Sequence, residues 1–308
     1  MELLFQFVLL AIGFVMLGKG ADWFVEGAAG IATKFGIPQL VIGLTIVAMG
    51  TSAPEAAVSI AAAMKGNADI TIGNIVGSNI LNIWIILGIA SVITTMAVAD
   101  STVKMEMPFM VFITGLLYYQ GLDGTVDLVD GGILLLAFAV YLMYLYTMAM
   151  KNKVDDDLQN YGYSIGKCLL WTVVGLALII GGSDLTVRAA TAIAAYAGLS
   201  ERFIGLTIVA LGTSLPELFT SVAAAMKGNA DIAIGNIVGS NIFNILFVVG
   251  LSAMIIPIPF ATAFQFDFMI ALAAAIMLWA FVMPKRNLGR IAGVVMLACY
   301  AGYLWYIL

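Results

Sequence analysis

Residues 42–83 read IGLTIVAMGTSAPEAAVSIAAAMKGNADITIGNIVGSNILNI, and residues 204–245 read IGLTIVALGTSLPELFTSVAAAMKGNADIAIGNIVGSNIFNI. The two stretches lie 162 residues apart and agree at 34 of 42 positions. Each places one glutamate, Glu55 or Glu217, in an otherwise apolar setting. A charge at the centre of a membrane helix costs roughly 3 kcal/mol on insertion scales, so such a residue marks a functional site by default. Its appearance twice, in the same surroundings, predicts a site made of two halves.

The whole chain sets that surrounding. Of 308 residues 63% are hydrophobic and 10% charged, with a mean hydropathy of +1.08, against roughly 45–50% apolar in a soluble domain. This composition is that of an integral membrane protein. Ten apolar runs are long enough to cross a hydrocarbon layer of about 30 Å: residues 3 to 30, 39 to 64, 70 to 96, 105 to 121, 129 to 150, 163 to 190, 201 to 226, 232 to 256, 265 to 283 and 288 to 307. The first is kept as a span, because residues 1–17 lack the basic start of a signal peptide and no small-residue cleavage site follows. Cys168 and Cys299 both fall in apolar runs, as small buried hydrophobes do. Histidine is absent, which removes the commonest proton shuttle and transition-metal ligand. Without a nucleotide-binding loop, any transport must run on ion gradients. Nothing suggests an enzyme, a cofactor, a nucleic-acid partner or an obligatory protein partner; a monomer in the lipid bilayer suffices.

Ten spans and one duplication give five spans per half, and an odd number makes the second half enter the membrane from the opposite side. The expected fold is therefore all-α, with ten transmembrane helices as two inverted five-helix repeats. Residues 1–150 form the first, 151–162 a cytoplasmic linker, and 163–308 the second, inverted one. Asp22 and Asp184, Gly36 and Gly198, Lys65 and Lys227, and Asp69 and Asp231 share the same offset. Inverted repeats recur in secondary transporters, with the substrate at the repeat interface near mid-bilayer. The loops holding Lys34, Lys104, Lys151, Lys153, Lys167, Lys227, Lys285, Arg286 and Arg290 outweigh the side holding Lys65, Arg188 and Arg202. Positive-inside bias makes the first side cytoplasmic, in a cell membrane, with both termini outside. Asp155, Asp156 and Asp157 in the linker read as solvated loop charge.

Within the motif, Thr51-Ser52-Ala53-Pro54-Glu55 reads as a helix start in mid-span. Ser52 and Glu55 fit a capping box, and Pro54 suits a first turn. The second and seventh helices are thus expected to be broken near Thr51 and at its copy Thr213-Ser214-Leu215-Pro216-Glu217. Freed carbonyls at Ala48 and Ala210 would become available. A glutamine could cap almost as well without the charge, which argues for a role beyond capping. Ser78 and Asn82 are four apart, as are Ser240 and Asn244, so each pair shares a helix face. Gly73 and Gly77 form a small-xxx-small pair, and Asn74 and Asn79 are assigned helix packing at least in part. Two carboxylates with hydroxyl, amide and carbonyl oxygens, and no sulfur or imidazole, suit a hard cation such as Ca²⁺, with its six to eight oxygens. Na⁺ could share those oxygens, and mutual exclusion on shared ligands is what makes an exchanger. The aromatic cluster Tyr141, Tyr144 and Tyr146 is read as an interfacial anchor.

GTSAPE with GNIVGSNILN, and GTSLPE with GNIVGSNIFN, resemble the paired alpha-repeats of the cation/Ca²⁺ exchanger superfamily, in particular its prokaryotic sodium/calcium exchangers. The resemblance implies long first and sixth helices that slide, and Na⁺/Ca²⁺ antiport by alternating access that extrudes Ca²⁺, three Na⁺ against one Ca²⁺. It makes Glu55, Glu217, Thr51, Thr213, Ser52, Ser214, Ser78, Ser240, Asn82 and Asn244, with the Ala48 and Ala210 carbonyls, cation-binding positions. Many relatives carry aspartate where this chain has Asn244, so two carboxylates remain and K⁺ co-transport is not expected. H⁺/Ca²⁺ antiport and a cation channel are the alternatives. An intramembrane hydrolase lacks both a substrate channel and a metal-bound water.

Overall fold

The computed structural model describes residues 2–66, 69–151, 164–197, 210–261 and 263–307. Its helices are α1 (Glu2–Phe35), α2 (Gln39–Thr51), α3 (Ala53–Met64), α4 (Asp69–Leu81, continuing to Ile93), α5 (Met107–Gln120), α6 (Leu128–Lys151), α7 (Ile165–Tyr196), α8 (Ala210–Thr213), α9 (Leu215–Met226), α10 (Ala230–Phe243, continuing to Ile255), α11 (Ala263–Val282) and α12 (Arg290–Ile307). Among the described residues, seven helices are long and apolar enough to cross a membrane. There are eight if α2 and α3, bent by 50° at Ser52, count as one span. The expected span 105 to 121 falls short because only 14 of its residues are α-helical, after the π turn Thr102–Glu106. Of the expected span 201 to 226 only α8 and α9 are described, and the acidic triplet 155–157 lies outside the described residues.

Two helices form the centre. Nearly every residue of α10 is buried, and most of α4, so the polar row that each carries, Asn74, Ser78 and Asn82 on α4 and Asn236, Ser240 and Asn244 on α10, faces protein rather than water. α1 and α7 lie against each other along their length and run antiparallel, with glycines at seven-residue spacing on both. A Cβ on Gly20 would stand 2.9 Å from the Gly175 carbonyl oxygen, and one on Gly182 would stand 3.0 Å from that of Gly13. Small residues let membrane helices approach backbone to backbone, where van der Waals packing replaces the missing hydrophobic drive.

Short antiparallel ribbons tie the helix ends. β1 (Met96–Ala97) pairs with β4 (Asn287–Leu288), and β2 (Thr125–Val126) with β3 (Ile258–Pro259). Adding 162 turns β1 into β3 and β2 into β4, so the two ribbons exchange under the sequence offset. Beside the first, Asp100 accepts from Lys104 at 2.7 Å and Arg286 at 2.8 Å. The Lys104 ammonium, and then Arg286, hold its carboxyl below the usual range. These charges are exposed and contribute little.

The crossing of α10 with α2 brings the site together. A Cβ on Gly239 would lie 2.8 Å from the Ala48 Cβ, the Leu44 Cα and the Leu44 carbonyl oxygen, all fixed groups. Gly239→Val is expected to destabilise the protein by about 1–3 kcal/mol or more, through overpacking. Gly132→Ala, which enters open space, is expected to be neutral. Thermal unfolding in detergent compares them, and equal midpoints would show that the crossing is not tight.

Candidate functional site

The helix breaks at Ser52 and Ser214 precede two inward-facing glutamates. Ser52 ends α2 with φ −80° and ψ 6°, and Ser214 precedes α9 with φ −92° and ψ 5°. These angles lie in the bridge region, where residues of turns and active sites are found. Glu55 and Glu217 sit in the following turns, each only 1% exposed.

The expected capping box does not form. Neither serine makes a side-chain cap bond. Instead the Ser52 hydroxyl donates to Glu217 Oε1 at 2.8 Å, and the Ser214 hydroxyl reaches Glu55 Oε1 at 3.4 Å. A carboxylate is the stronger acceptor, and here it is supplied by the other half of the chain. The two carboxylates are close enough to feel each other's charge.

The Ala48 carbonyl is not freed either. The chain bends without losing that helical bond, so Ser52 N–H still donates to it at 3.0 Å. The hydroxyls of Thr51, at 3.3 Å, and of Ser240, at 3.4 Å, point at the same oxygen. Thr51 also lies 3.0 Å from Asn236 Oδ1.

Below the carboxylates, four asparagines interlock. Asn79 donates to the Asn241 carbonyl at 3.3 Å and Asn241 to the Asn79 carbonyl at 3.2 Å. Asn82 donates to Asn241 Oδ1 at 2.9 Å and Asn244 to Asn79 Oδ1 at 3.1 Å. Each bond has its counterpart at offset 162. Asn82 and Asn244 open the π turns Asn82–Leu87 and Asn244–Val249, a local widening often found at functional sites.

With their amide N–H groups engaged in this way, Asn82 Oδ1 and Asn244 Oδ1 are buried without a hydrogen-bond partner. So are Glu55 Oε2 and Glu217 Oε2. Four acceptor oxygens, none with a donor, occur in two offset-related pairs. An unpaired buried acceptor is expensive, and a bare cation is the group that satisfies several at once. Among the described residues no three His, Cys, Asp or Glu side chains cluster, so any cation here depends on amide and hydroxyl oxygens beside the two carboxylates.

Nine of the expected positions, Ala48, Thr51, Ser52, Glu55, Asn82, Ser214, Glu217, Ser240 and Asn244, are buried and belong to this assembly. Ser78 is buried one turn before Asn82. Thr213 ends α8 half-buried with its polar contact made, and Ala210 opens that short helix at the edge of the described residues.

Sequence reasoning undervalued Asn79 and Asn241, which orient the other two amides. It also undervalued Asn74 and Asn236, which donate to Ser59 and Ser221 at 2.9 Å and approach the Glu55 and Glu217 carbonyls. The signal was available, since all four recur at the same offset in buried segments. Glu106 was missed altogether. It is 1% exposed and accepts from the Tyr144 hydroxyl. Tyr141 is buried against Phe109, so of the three tyrosines read as an interfacial anchor only Tyr146 is well exposed. The Glu106 carboxylate holds the half-buried Tyr144 on the same face of α6.

A family described as sodium/calcium exchanger protein matches residues 5–147 and 167–308. The chain is similar to the sodium/calcium exchanger MaX1 of Methanosarcina acetivorans, at 32% identity over 97% of each chain. It is similar to the inner membrane protein YrbG of Escherichia coli K12, at 36% identity over 81% of this chain and 79% of the other. Its fold matches the sodium-calcium exchanger NCX_Mj soaked with Na⁺ and Sr²⁺, with TM-score 0.86, 31% identity and 98% of each chain covered. On this footing the chain is a multi-pass membrane protein and a member of the sodium/calcium exchanger family of antiporters.

Proposed function

We propose that this protein exchanges Na⁺ for Ca²⁺ across the cell membrane by alternating access, extruding Ca²⁺ on the inward Na⁺ gradient. The observation that carries the reading is the set of four unpartnered buried oxygens on Glu55, Glu217, Asn82 and Asn244. Two formal negative charges balance one Ca²⁺, and its preference for six to eight oxygens at about 2.3–2.6 Å draws in the hydroxyls of Thr51, Ser52, Ser78, Thr213, Ser214 and Ser240 and the Ala210 carbonyl, with the Ala48 carbonyl contributing beside the Ser52 N–H bond it keeps. Na⁺ takes the same oxygens in separate subsites, so the two cargoes exclude each other.

The architecture behind this is two inverted five-span halves, residues 1–150 and 163–308, joined by a cytoplasmic linker, with both termini outside. Three features support it: the antiparallel run of α1 beside α7, the ribbons that exchange under the offset, and the reciprocal bonds between Ser52 and Glu217 and between Ser214 and Glu55. A site shared equally by inverted halves can open to either face without being rebuilt. No K⁺ is needed, and the chain works as a monomer.

Radioactive calcium uptake into proteoliposomes under an outward Na⁺ gradient tests the reading. Uptake is expected with Na⁺ inside and none with choline inside. Uptake driven by a pH gradient alone would assign the antiport to protons, and uptake indifferent to any counter-ion would make the protein a channel.

A further inference from the structure

The inverted halves share their backbone more closely than their charges. α3 ends in a turn in which Lys65 N–H donates to the Ala61 and Ala62 carbonyls and Gly66 adopts φ +81°. α9 ends in the matching turn, with Lys227 N–H on the Ala223 carbonyl and Gly228 at φ +78°. Both turns thus deliver a lysine from the same frame, one at each end of the pseudo-symmetric assembly. The surroundings differ.

The Lys227 ammonium sits on a three-oxygen seat on α1: Glu26 Oε1 at 2.6 Å, the Asp22 carbonyl at 3.1 Å and Asp22 Oδ1 at 3.2 Å. At offset 162, Asp22 becomes Asp184 but Glu26 becomes Arg188. Arg188 takes Asp184 for itself at 2.9 Å, and Lys65 has no ion pair among the described residues. Lys227 and Asp22 close one edge of a cavity of about 630 Å³ bordered by Phe14, Val15, Phe219 and Val222. α1 meets α7 chiefly through glycines set against backbone.

We propose that Lys227 with Asp22 and Glu26 is a one-sided latch, which pins α1 to the second half on one membrane face and so biases which face of the exchange site is closed. The inference rests on the alternating-access reading above. Among the described residues α1 packs along α9 whereas α7 does not pack comparably on α3, and α7 carries arginine where α1 carries the second acid, so the two faces are held with unequal strength. Because inverted halves trade conformations when access switches, that inequality sets the resting population of the two states.

Hydrogen–deuterium exchange of the full chain in nanodiscs tests the latch without relying on ion flux, so the outcome is separate from that of the transport assay. Lys227→Gln is expected to speed exchange roughly five-fold, as for the loss of one partly buried ion pair, over residues 14–26 and 219–229. Exchange should slow at the same time over residues 53–66, as that face closes. Lys227→Arg, which keeps the charge, should stay near wild type. An unchanged pattern in Lys227→Gln would overturn the latch. So would faster exchange confined to residues 224–229, which would be fraying of the turn alone.

Discussion

Glu217→Gln, and equally Glu55→Gln, is expected to abolish Na⁺-dependent Ca²⁺ flux. Glutamine preserves the shape and leaves an oxygen for the serine across the interface, so the loss is one of charge. Removing one partner of a buried charge pair typically costs about 3–5 kcal/mol, which is two decades or more in Ca²⁺ affinity. Without cargo the sign reverses. Two carboxylates that feel each other's charge in a buried site repel, and neutralising one relieves that repulsion. The ion-free variant should therefore melt no lower than the wild type, while the upward shift that Ca²⁺ gives the wild type through binding linkage should vanish. Melting curves with and without Ca²⁺, beside the flux assay, check both halves. Wild-type flux in either variant would remove that residue from the site.

The second large effect is expected away from the carboxylates. Asn241 donates to the Asn79 carbonyl, and its own side-chain and backbone oxygens accept from Asn82 and Asn79. Asn241→Leu keeps the backbone acceptor but strips the two side-chain bonds, leaving the Asn82 N–H and the Asn79 carbonyl unpaired, at about 1–3 kcal/mol each. The Asn82 amide is then no longer held with its nitrogen toward Asn241 and its oxygen free. At least a ten-fold fall in apparent Ca²⁺ affinity should follow, and Asn79→Leu should match it through Asn244. Concentration dependence of Ca²⁺ uptake measures this. If Asn241→Leu keeps wild-type affinity while Asn244→Leu loses it, the network does not position the amides.

Much of this was legible because the chain repeats itself. Two glutamates in apolar surroundings, each behind a proline, located both the site and the helix breaks at Ser52 and Ser214. Partner choice was not legible. Serine three residues before glutamate is the spacing of a local cap, and nothing in the spacing tells that cap from a bond to the opposite half. The same limit hid Glu106: Tyr141 and Tyr144 share a face of α6, but the acid that turns Tyr144 inward comes from the π turn before α5, 38 residues earlier. Asn79 looked like packing because a buried amide that joins helices and one that orients a neighbour look the same in sequence.

The central claim is that Glu55 and Glu217 jointly hold the cargo. Crystals of the full chain soaked with Sr²⁺, a heavier stand-in for Ca²⁺, test it most directly by anomalous scattering. The account predicts one strong peak between Glu55 Oε2 and Glu217 Oε2, within reach of both, that fades as Na⁺ is raised. A peak bound to one glutamate alone, or one that persists unchanged in the Glu55→Gln, Glu217→Gln double variant, would contradict it.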